Sequence, residues 1–201
     1  MLIRHAESTA NPVIEIYLYR GRWQLATTDA LYSDGNKYRP LLVAFKDMKQ
    51  VLATVKQTLI LGAGLGSAVS ILNNMGFYPV ITLVDIDTVV LQWALEFSDK
   101  NSPAKINPVS ADAFEFVKND KSSYDLLVID IFLGRQVPEF VSSIEFLDLS
   151  KNRLRSGGAL VLNYIINAED EWRLMEKNFK QVFPYSKLIN LGVNRVFIAT
   201  V

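Results

Sequence analysis

The sequence predicts an α/β fold built on a mostly parallel, doubly wound sheet. From Thr58 onward, apolar strand patterns alternate with amphipathic helix patterns, as in a series of βα units. The pattern over 124–131 is a continuous apolar run, which is typical of a strand covered on both faces. The last two strand patterns, 187–191 and 195–201, flank Gly192 and predict an antiparallel hairpin. A ligand crevice is expected at the carboxyl ends of the parallel strands.

The first 57 residues are predicted to form a small arm. A β-hairpin is expected over 13–28, with its turn at Arg20 and Gly21. A helix is expected over 38–55. Pro40 lies near its first turn, where the missing N–H of a proline does least harm. Residues 1–12 show no clear periodicity. We therefore divide the chain into a β-hairpin arm with a helix (1–57) and a nucleotide-binding domain (58–201).

The stretch from Thr58 to Asp85 carries the strongest functional signal. An apolar strand runs into a glycine cluster, a helix follows, and a second apolar strand ends in Asp85. Glycines allow the backbone to approach a ligand closely, and the helix N-terminus beside them favours anions. Asp85 can accept hydrogen bonds from two vicinal ribose hydroxyls. The glycines alone would also fit a tight turn, but the acid that follows at a strand end indicates a nucleotide site.

Two further acids follow predicted strands. Asp112 can accept a hydrogen bond from the exocyclic amine of adenine, although its position also suits a helix N-cap. Asp130 ends a buried strand, where a carboxylate is costly unless it is used. It could take a proton from an amine or hydroxyl nucleophile, or it could cap the loop that follows.

These motifs, in this order, resemble the class I S-adenosylmethionine-dependent methyltransferase superfamily, and within it the spermidine synthase-like branch. The resemblance covers residues 13–201. It implies a Rossmann-like methyltransferase fold, with a seven-stranded, mostly parallel sheet, an antiparallel C-terminal hairpin and a small N-terminal β-arm. It also implies that Asp130 is catalytic and that Tyr32 and Asp34 contact the substrate. Arg135, a cation in the loop after Asp130 where the chain departs from the family pattern, is a further candidate substrate contact. The cofactor-binding residues that it implies are Gly62, Ala63, Gly64, Leu65, Gly66, Asp85, Ile86, Asp112, Ala113 and Asp130.

Two positions depart from the synthases of that branch. Leu65 stands where they carry an aspartate near the tail of decarboxylated S-adenosylmethionine, and Leu133 stands where they carry an acid that helps to hold the polyamine. We therefore expect S-adenosylmethionine as the cofactor and methyl transfer to a small-molecule acceptor as the activity. The alternatives are polyamine aminopropyl transfer from decarboxylated S-adenosylmethionine, a noncatalytic adenosyl-binding protein, and an NAD-dependent oxidoreductase, whose fingerprint the glycine cluster nearly fits.

The composition limits the partners. Lys and Arg together number 21, as do Asp and Glu, so the net charge is zero and bulk charge favours neither nucleic acid nor anionic membranes. The absence of cysteine excludes thiolate zinc sites, and no metal site is expected. No run is long enough to cross a bilayer, so we expect a cytoplasmic protein. The 50% hydrophobic content and an aromatic arm favour a homodimer, although an arm folded onto its own domain would look the same.

Overall fold

The arm forms a four-stranded antiparallel sheet. The computed structural model describes residues 1–8, 10–28, 30–97 and 102–201. The predicted hairpin turns at Arg20 and Gly21, both at positive φ. An additional strand over 2–6, which sequence analysis did not predict, pairs with the hairpin at the sheet edge, where three of its five residues are exposed and the apolar pattern is weak. The four strands, in spatial order, are β1 (Leu2–Ala6), β2 (Ile14–Tyr19), β3 (Arg22–Ala26) and β4 (Leu31–Ser33).

The helix predicted over 38–55 is two helices. They are α1 (Arg39–Asp47) and α2 (Lys49–Leu52), and the break lies at Met48, whose φ and ψ are −99° and 23°. Pro40 lies in the first turn of α1, as predicted. The two helices connect the arm to the central sheet.

A seven-stranded sheet forms the centre of the molecule and confirms the predicted fold class. Its spatial order is β10-β11-β9-β8-β5-β6-β7. The five strands from β9 to β7 run parallel, whereas β11 is antiparallel to β9 and to β10. The chain leaves β5 in one direction toward β6 and later returns on the other side as β8, so a topological switch point lies between β5 and β8. The strands are β5 (Gln57–Leu61), β6 (Val80–Asp85), β7 (Ile106–Ser110), β8 (Tyr124–Ile129), β9 (Leu154–Ile165), β10 (Ser186–Leu191) and β11 (Asn194–Thr200).

Helices cover both faces of this sheet, which explains the continuous apolar strand at its centre. Alternate residues of a strand point to opposite faces. Thus Leu126 packs in one apolar cluster with α1, α3 and α4, and Leu127 packs in a second cluster with α5, α6 and α7. The remaining helices are α3 (Ser67–Asn74), α4 (Thr88–Phe97), α5 (Ala113–Asn119), α6 (Ile144–Asn152) and α7 (Glu169–Val182), and 3₁₀ turns lie at Gly35–Lys37 and Glu139–Ser142.

The arm packs onto the sheet through the first of these clusters. Fully buried Ile14, Ile16 and Leu25 share it with Ile60 and Leu126. The predicted boundary between the arm and the nucleotide-binding domain falls between α2 and β5, and the division remains a prediction. No helix in the described part of the chain is long and apolar enough to cross a membrane.

Candidate active site

A cavity opens at the carboxyl ends of the parallel strands, where the switch point places it. It encloses about 810 Å³ of space, which includes open solvent at its mouth. Three carboxylates lie in its wall, one each after β6, β7 and β8. Its lining residues are Asn11, Tyr32, Gly62, Gly64, Val84, Asp85, Ile86, Val90, Ala111, Asp112, Ala113, Asp130, Ile131, Phe132, Leu133, Pro138 and Phe140.

The glycine loop between β5 and α3 requires residues without side chains. Gly62 has a φ of 91°, and a Cβ there would lie 2.2 Å from the carbonyl oxygen of Asp130. A Cβ on Gly64 would lie 3.1 Å from the carbonyl oxygen of Tyr32. Gly66, with a φ of 72°, precedes the first turn of α3. The loop therefore presents the backbone of Gly62 and Gly64 to the cavity, an arrangement that fits an adenosyl ligand.

Asp85 holds this loop in place. One carboxylate oxygen accepts a hydrogen bond from the backbone N–H of Ala63 at 2.7 Å, and the other accepts from that of Asp87 at 2.9 Å. Burial raises the pKa of Asp85, and these backbone N–H groups oppose the shift. Each carboxylate oxygen can accept a second hydrogen bond, so the same group can fix the loop and still receive a hydroxyl.

Asp130 is the most perturbed carboxylate of the site. Its Oδ1 accepts hydrogen bonds from Asn163 Nδ2 at 2.8 Å and from the Tyr38 hydroxyl at 3.2 Å. Burial raises its pKa to about 6, while these two hydrogen bonds oppose the rise. Within the described part of the chain no donor contacts Oδ2, which can therefore receive a proton or an ammonium N–H. A carboxylate with a pKa near neutrality is suited to general base catalysis.

Sequence analysis missed Tyr38 and Asn163. Tyr38 immediately precedes α1, and burial followed by the charge of Asp130 raises its pKa well above the ordinary value, so it remains a hydrogen-bond donor. Asn163, only 1% exposed, lies in β9. A lone polar residue in an otherwise apolar strand is a signal that could have identified Asn163. Tyr38 has no comparable signal, because only the packing of α1 against β9 and β11 brings it to Asp130.

The other cofactor-binding residues implied by the resemblance take different positions. Asp112 lines the cavity and also caps α5, where its Oδ1 accepts a hydrogen bond from Glu115 N at 3.0 Å. Ile86 and Ala113 line the cavity as well. Leu65 does not line it: the side chain is 3% exposed and belongs to the first apolar cluster.

The three implied substrate residues are not brought together. Tyr32 lines the cavity. Asp34 instead lies within the arm, where it pairs with Arg22 at 3.2 Å and accepts a hydrogen bond from Gln24. Arg135 is exposed on the loop after β8, and its carbonyl oxygen accepts a hydrogen bond from Asn167. Among the described residues, no group of three or more His, Asp or Glu side chains is placed to hold a metal ion.

A chain of hydrogen bonds, which we call the arm clasp, connects the arm to the loop after β8. The Tyr32 hydroxyl accepts from the backbone N–H of Gly134 at 2.5 Å and donates to Asn11 Oδ1 at 3.0 Å. Asn11 Nδ2 in turn donates to buried Asp87 at 2.7 Å, and the Ser8 hydroxyl donates to the same oxygen. Since Tyr32 and Asn11 both line the cavity, the arm clasp forms part of its wall.

The comparisons with known proteins decide the family. The model of the spermine/spermidine synthase domain matches residues 38–193. The chain belongs to the spermine/spermidine synthase domain family. The match begins at Tyr38 and includes the glycine loop, the three cavity carboxylates and Asn163. Sequence analysis had therefore identified the correct branch of the methyltransferase-like superfamily.

Individual relatives include both polyamine aminopropyltransferases and a methyltransferase. The chain is 32% identical to the polyamine aminopropyltransferase of Vibrio vulnificus over 54% of this chain and 37% of that protein. It is 29% identical to the N-terminal histidine N-methyltransferase of Emericella nidulans over 65% of this chain and 24% of that protein. The chain thus spans well under half the length of either relative. A spermidine synthase solved with the transition-state analogue AdoDATO superposes with a TM-score of 0.75 at 17% identity, covering 99% of this chain and 73% of that one, and shares the fold.

The prediction of methyl transfer is wrong. The family model is that of spermine/spermidine synthases, and polyamine aminopropyltransferases recur among the relatives, including those of Vibrio vulnificus, Bifidobacterium longum and Aquifex aeolicus. The physical reason lies in Leu65. The prediction assumed that this side chain faces the ligand and selects its tail, but the side chain is buried in the core and cannot do so.

Proposed function

We propose that this chain is an aminopropyltransferase that moves an aminopropyl group from decarboxylated S-adenosylmethionine to an amine. The observation that carries the proposal is Asp130, which directly follows β8, lies beside Gly62 and accepts hydrogen bonds from Tyr38 and Asn163. An amine nucleophile needs a nearby base with a pKa close to neutrality, and the carboxylate of Asp130, with a pKa of about 6, is such a base. The family and the aminopropyltransferase relatives support the same activity.

The donor is proposed to lie across the glycine loop. Its ribose hydroxyls would bind Asp85, and its adenine amine would bind Asp112, both of which line the cavity. A hydrogen bond to a charged group contributes roughly 1.5–3 kcal/mol, so the loss of Asp85 should weaken donor binding at least tenfold. This estimate excludes the additional disorder of the loop that Asp85 holds through Ala63.

In the proposed reaction, the nitrogen lone pair of the acceptor amine attacks the aminopropyl carbon that is bonded to the sulfonium sulfur. A nitrogen–carbon bond forms, the carbon–sulfur bond breaks, and its electron pair neutralises the sulfur to give methylthioadenosine. The proton lost by the amine passes to Asp130. Alignment of nucleophile, carbon and leaving sulfur supplies most of the catalysis in such a displacement, and the hydrogen bonds from Tyr38 and Asn163 keep the base in line.

Asp130→Asn tests the proposal. The wild-type protein should form methylthioadenosine when decarboxylated S-adenosylmethionine and an amine are supplied together, as measured by chromatography of the products. The variant should bind the donor within about threefold of the wild type by calorimetry and should lose at least a hundredfold in turnover, within the range of general base catalysis. Parallel reactions with S-adenosylmethionine serve as the comparison. Transfer of a methyl group in place of an aminopropyl group, or unchanged turnover by the variant, would contradict the proposal.

Two further predictions remain at the level of the sequence. The homodimer is a proposal that rests on the aromatic arm, and light scattering at several protein concentrations measures it directly. The cytoplasmic location likewise remains a prediction.

A further inference from the structure

We propose that Asn194, the first residue of β11, is a positioning residue that turns the amide of Asn163 toward Asp130. Its Nδ2 donates a hydrogen bond to Asn163 Oδ1 at 3.0 Å. Asn163 Nδ2 donates to Asp130 Oδ1 at 2.8 Å and lies 3.1 Å from the Tyr38 hydroxyl oxygen. Asn194 is not among the residues that line the cavity, and its side-chain amide donates to Asn163, so it would act on Asp130 through Asn163.

The chemistry of the amide explains why a partner is needed. The side chain of Asn163 has a donor end and an acceptor end, and a half-turn about its last bond exchanges them. In the reversed orientation, the amide oxygen would face the Asp130 carboxylate, where both groups are acceptors and no hydrogen bond forms. Because Asn163 is 1% exposed, hydrogen bonds to water contribute little to the orientation of its amide. The donor from Asn194 stabilises the orientation in which the NH₂ group reaches Asp130.

The hairpin gives Asn194 a fixed position. Asn194 pairs with Leu191 across the turn and with Ile165 of β9 on its other side. The neighbouring cation points elsewhere: the guanidinium of Arg195 lies 5.5 Å from the centre of the Trp172 ring and donates to Asn190 at 2.8 Å. The side chains hydrogen-bonded to Asp130 are therefore the neutral donors Tyr38, from the start of α1, and Asn163, from β9.

The titration of Asp130 in the unliganded protein tests this inference. Because the hydrogen bond from Asn163 lowers the pKa of Asp130, its loss should raise that pKa. We expect the carboxyl carbon resonance of Asp130 to titrate about half a unit or more higher in Asn194→Leu than in the wild type. This measurement needs no substrate, so it gives an answer even if the chain is not an aminopropyltransferase.

Two comparisons separate positioning from damage to the hairpin. Asn190→Leu alters the other end of the same turn, where Asn190 accepts hydrogen bonds from Gly192 and Arg195, and it should leave the Asp130 titration unchanged. Asn163→Leu should shift the titration at least as far as Asn194→Leu, and the double variant should match Asn163→Leu alone, since one residue acts through the other.

The inference is overturned if Asn194→Leu unfolds at the same temperature as the wild type and the pKa of Asp130 is unchanged. It is also overturned if Asn190→Leu produces the same shift, because both residues would then act through the hairpin alone. Additive shifts in the double variant would exclude action through Asn163.

Discussion

At the scale of single residues, one carboxylate serves two opposing requirements. Asp130 must be buried enough to have a raised pKa and yet be ionised to accept a proton. Burial raises its pKa to about 6, and the hydrogen bonds from Asn163 and Tyr38 limit the rise. The ionised form, which the proposed reaction requires, therefore predominates above pH 6. We expect the activity to increase as the pH rises through this value.

Tyr38→Phe tests the contribution of the hydroxyl. Its loss removes a hydrogen bond that lowers the pKa of Asp130, so the acid limb of the rate profile should move above pH 6. Turnover at neutral pH should fall roughly tenfold, which corresponds to one hydrogen bond to a charged group. The measurement is kcat/KM against pH, with decarboxylated S-adenosylmethionine as the donor. Tyr185→Phe is the matched control, because Tyr185 is 91% exposed. An acid limb that does not move would show that Tyr38 does not stabilise the ionised base.

At the scale of elements, the arm and the loop after β8 both contribute residues to the wall of the cavity. The arm clasp connects them through the hydroxyl of Tyr32, which bonds Gly134 on the loop and Asn11 on the arm. Asp87, which receives the other end of this chain, also accepts hydrogen bonds from the first backbone N–H groups of α4. The clasp is therefore anchored to the Rossmann-like sheet and its helices.

Tyr32→Phe should weaken the contact between the arm and the loop after β8 while it keeps the aromatic ring that lines the cavity. The variant keeps the ring and loses the hydrogen bonds of the hydroxyl to Gly134 and Asn11, so the loop should open more often and ligands should leave faster. We expect the dissociation rate of methylthioadenosine to rise roughly tenfold, in line with the loss of about 1.4 kcal/mol, by stopped-flow displacement. Tyr19→Phe, an exposed tyrosine of the same arm, should dissociate like the wild type. Equal dissociation rates for Tyr32→Phe and the wild type would show that the clasp does not control the mouth.

The helices and strands of the fold could be predicted from the sequence more completely than the contacts between them. Strands covered on both faces, the glycine loop and the acids at strand ends all follow from local pattern, because each depends on neighbours along the chain. Tyr38 and Asn163 could not be joined to Asp130 in this way, since their meeting depends on how α1 packs across β9 and β11. The orientation of the Leu65 side chain could not be predicted from the sequence either, because a loop has no fixed periodicity that assigns its side chains to one face.

At the scale of the whole molecule, the site imposes a cost on stability that depends on pH. In the folded protein, Asp130 has a pKa of about 6, compared with an ordinary value of 3.8. Between these two pH values the folded chain retains a proton that the unfolded chain has released. The contribution of Asp130 to the free energy of unfolding therefore falls as the pH rises through this window and is constant above it.

Asp130→Asn should consequently stabilise the protein at neutral pH although it lowers turnover at least a hundredfold. One pKa unit corresponds to about 1.4 kcal/mol, so the raised pKa of Asp130 corresponds to at most about 3 kcal/mol. Because the carboxylate borders the cavity and is partly solvated, we expect a gain of about 1–2 kcal/mol at pH 7.5. The gain should vanish below about pH 3, roughly one unit under the unfolded pKa, where both folded and unfolded chains carry the proton. Urea unfolding at the two pH values measures the difference.

Asp125, a carboxylate whose pKa is shifted in the opposite direction from that of Asp130, supplies the control for this prediction. Burial acts to raise the pKa of Asp125, but Arg155 at 2.7 Å and the backbone N–H groups of Gln57 and Lys56 outweigh it and lower that pKa. Asp125 therefore stabilises the fold above its unfolded pKa and loses this effect as the pH falls through its folded value. Asp125→Asn should destabilise the protein at pH 7.5, where Asp130→Asn stabilises it. If both variants changed stability in the same direction at pH 7.5, the charge of Asp130 would not be the source of the cost.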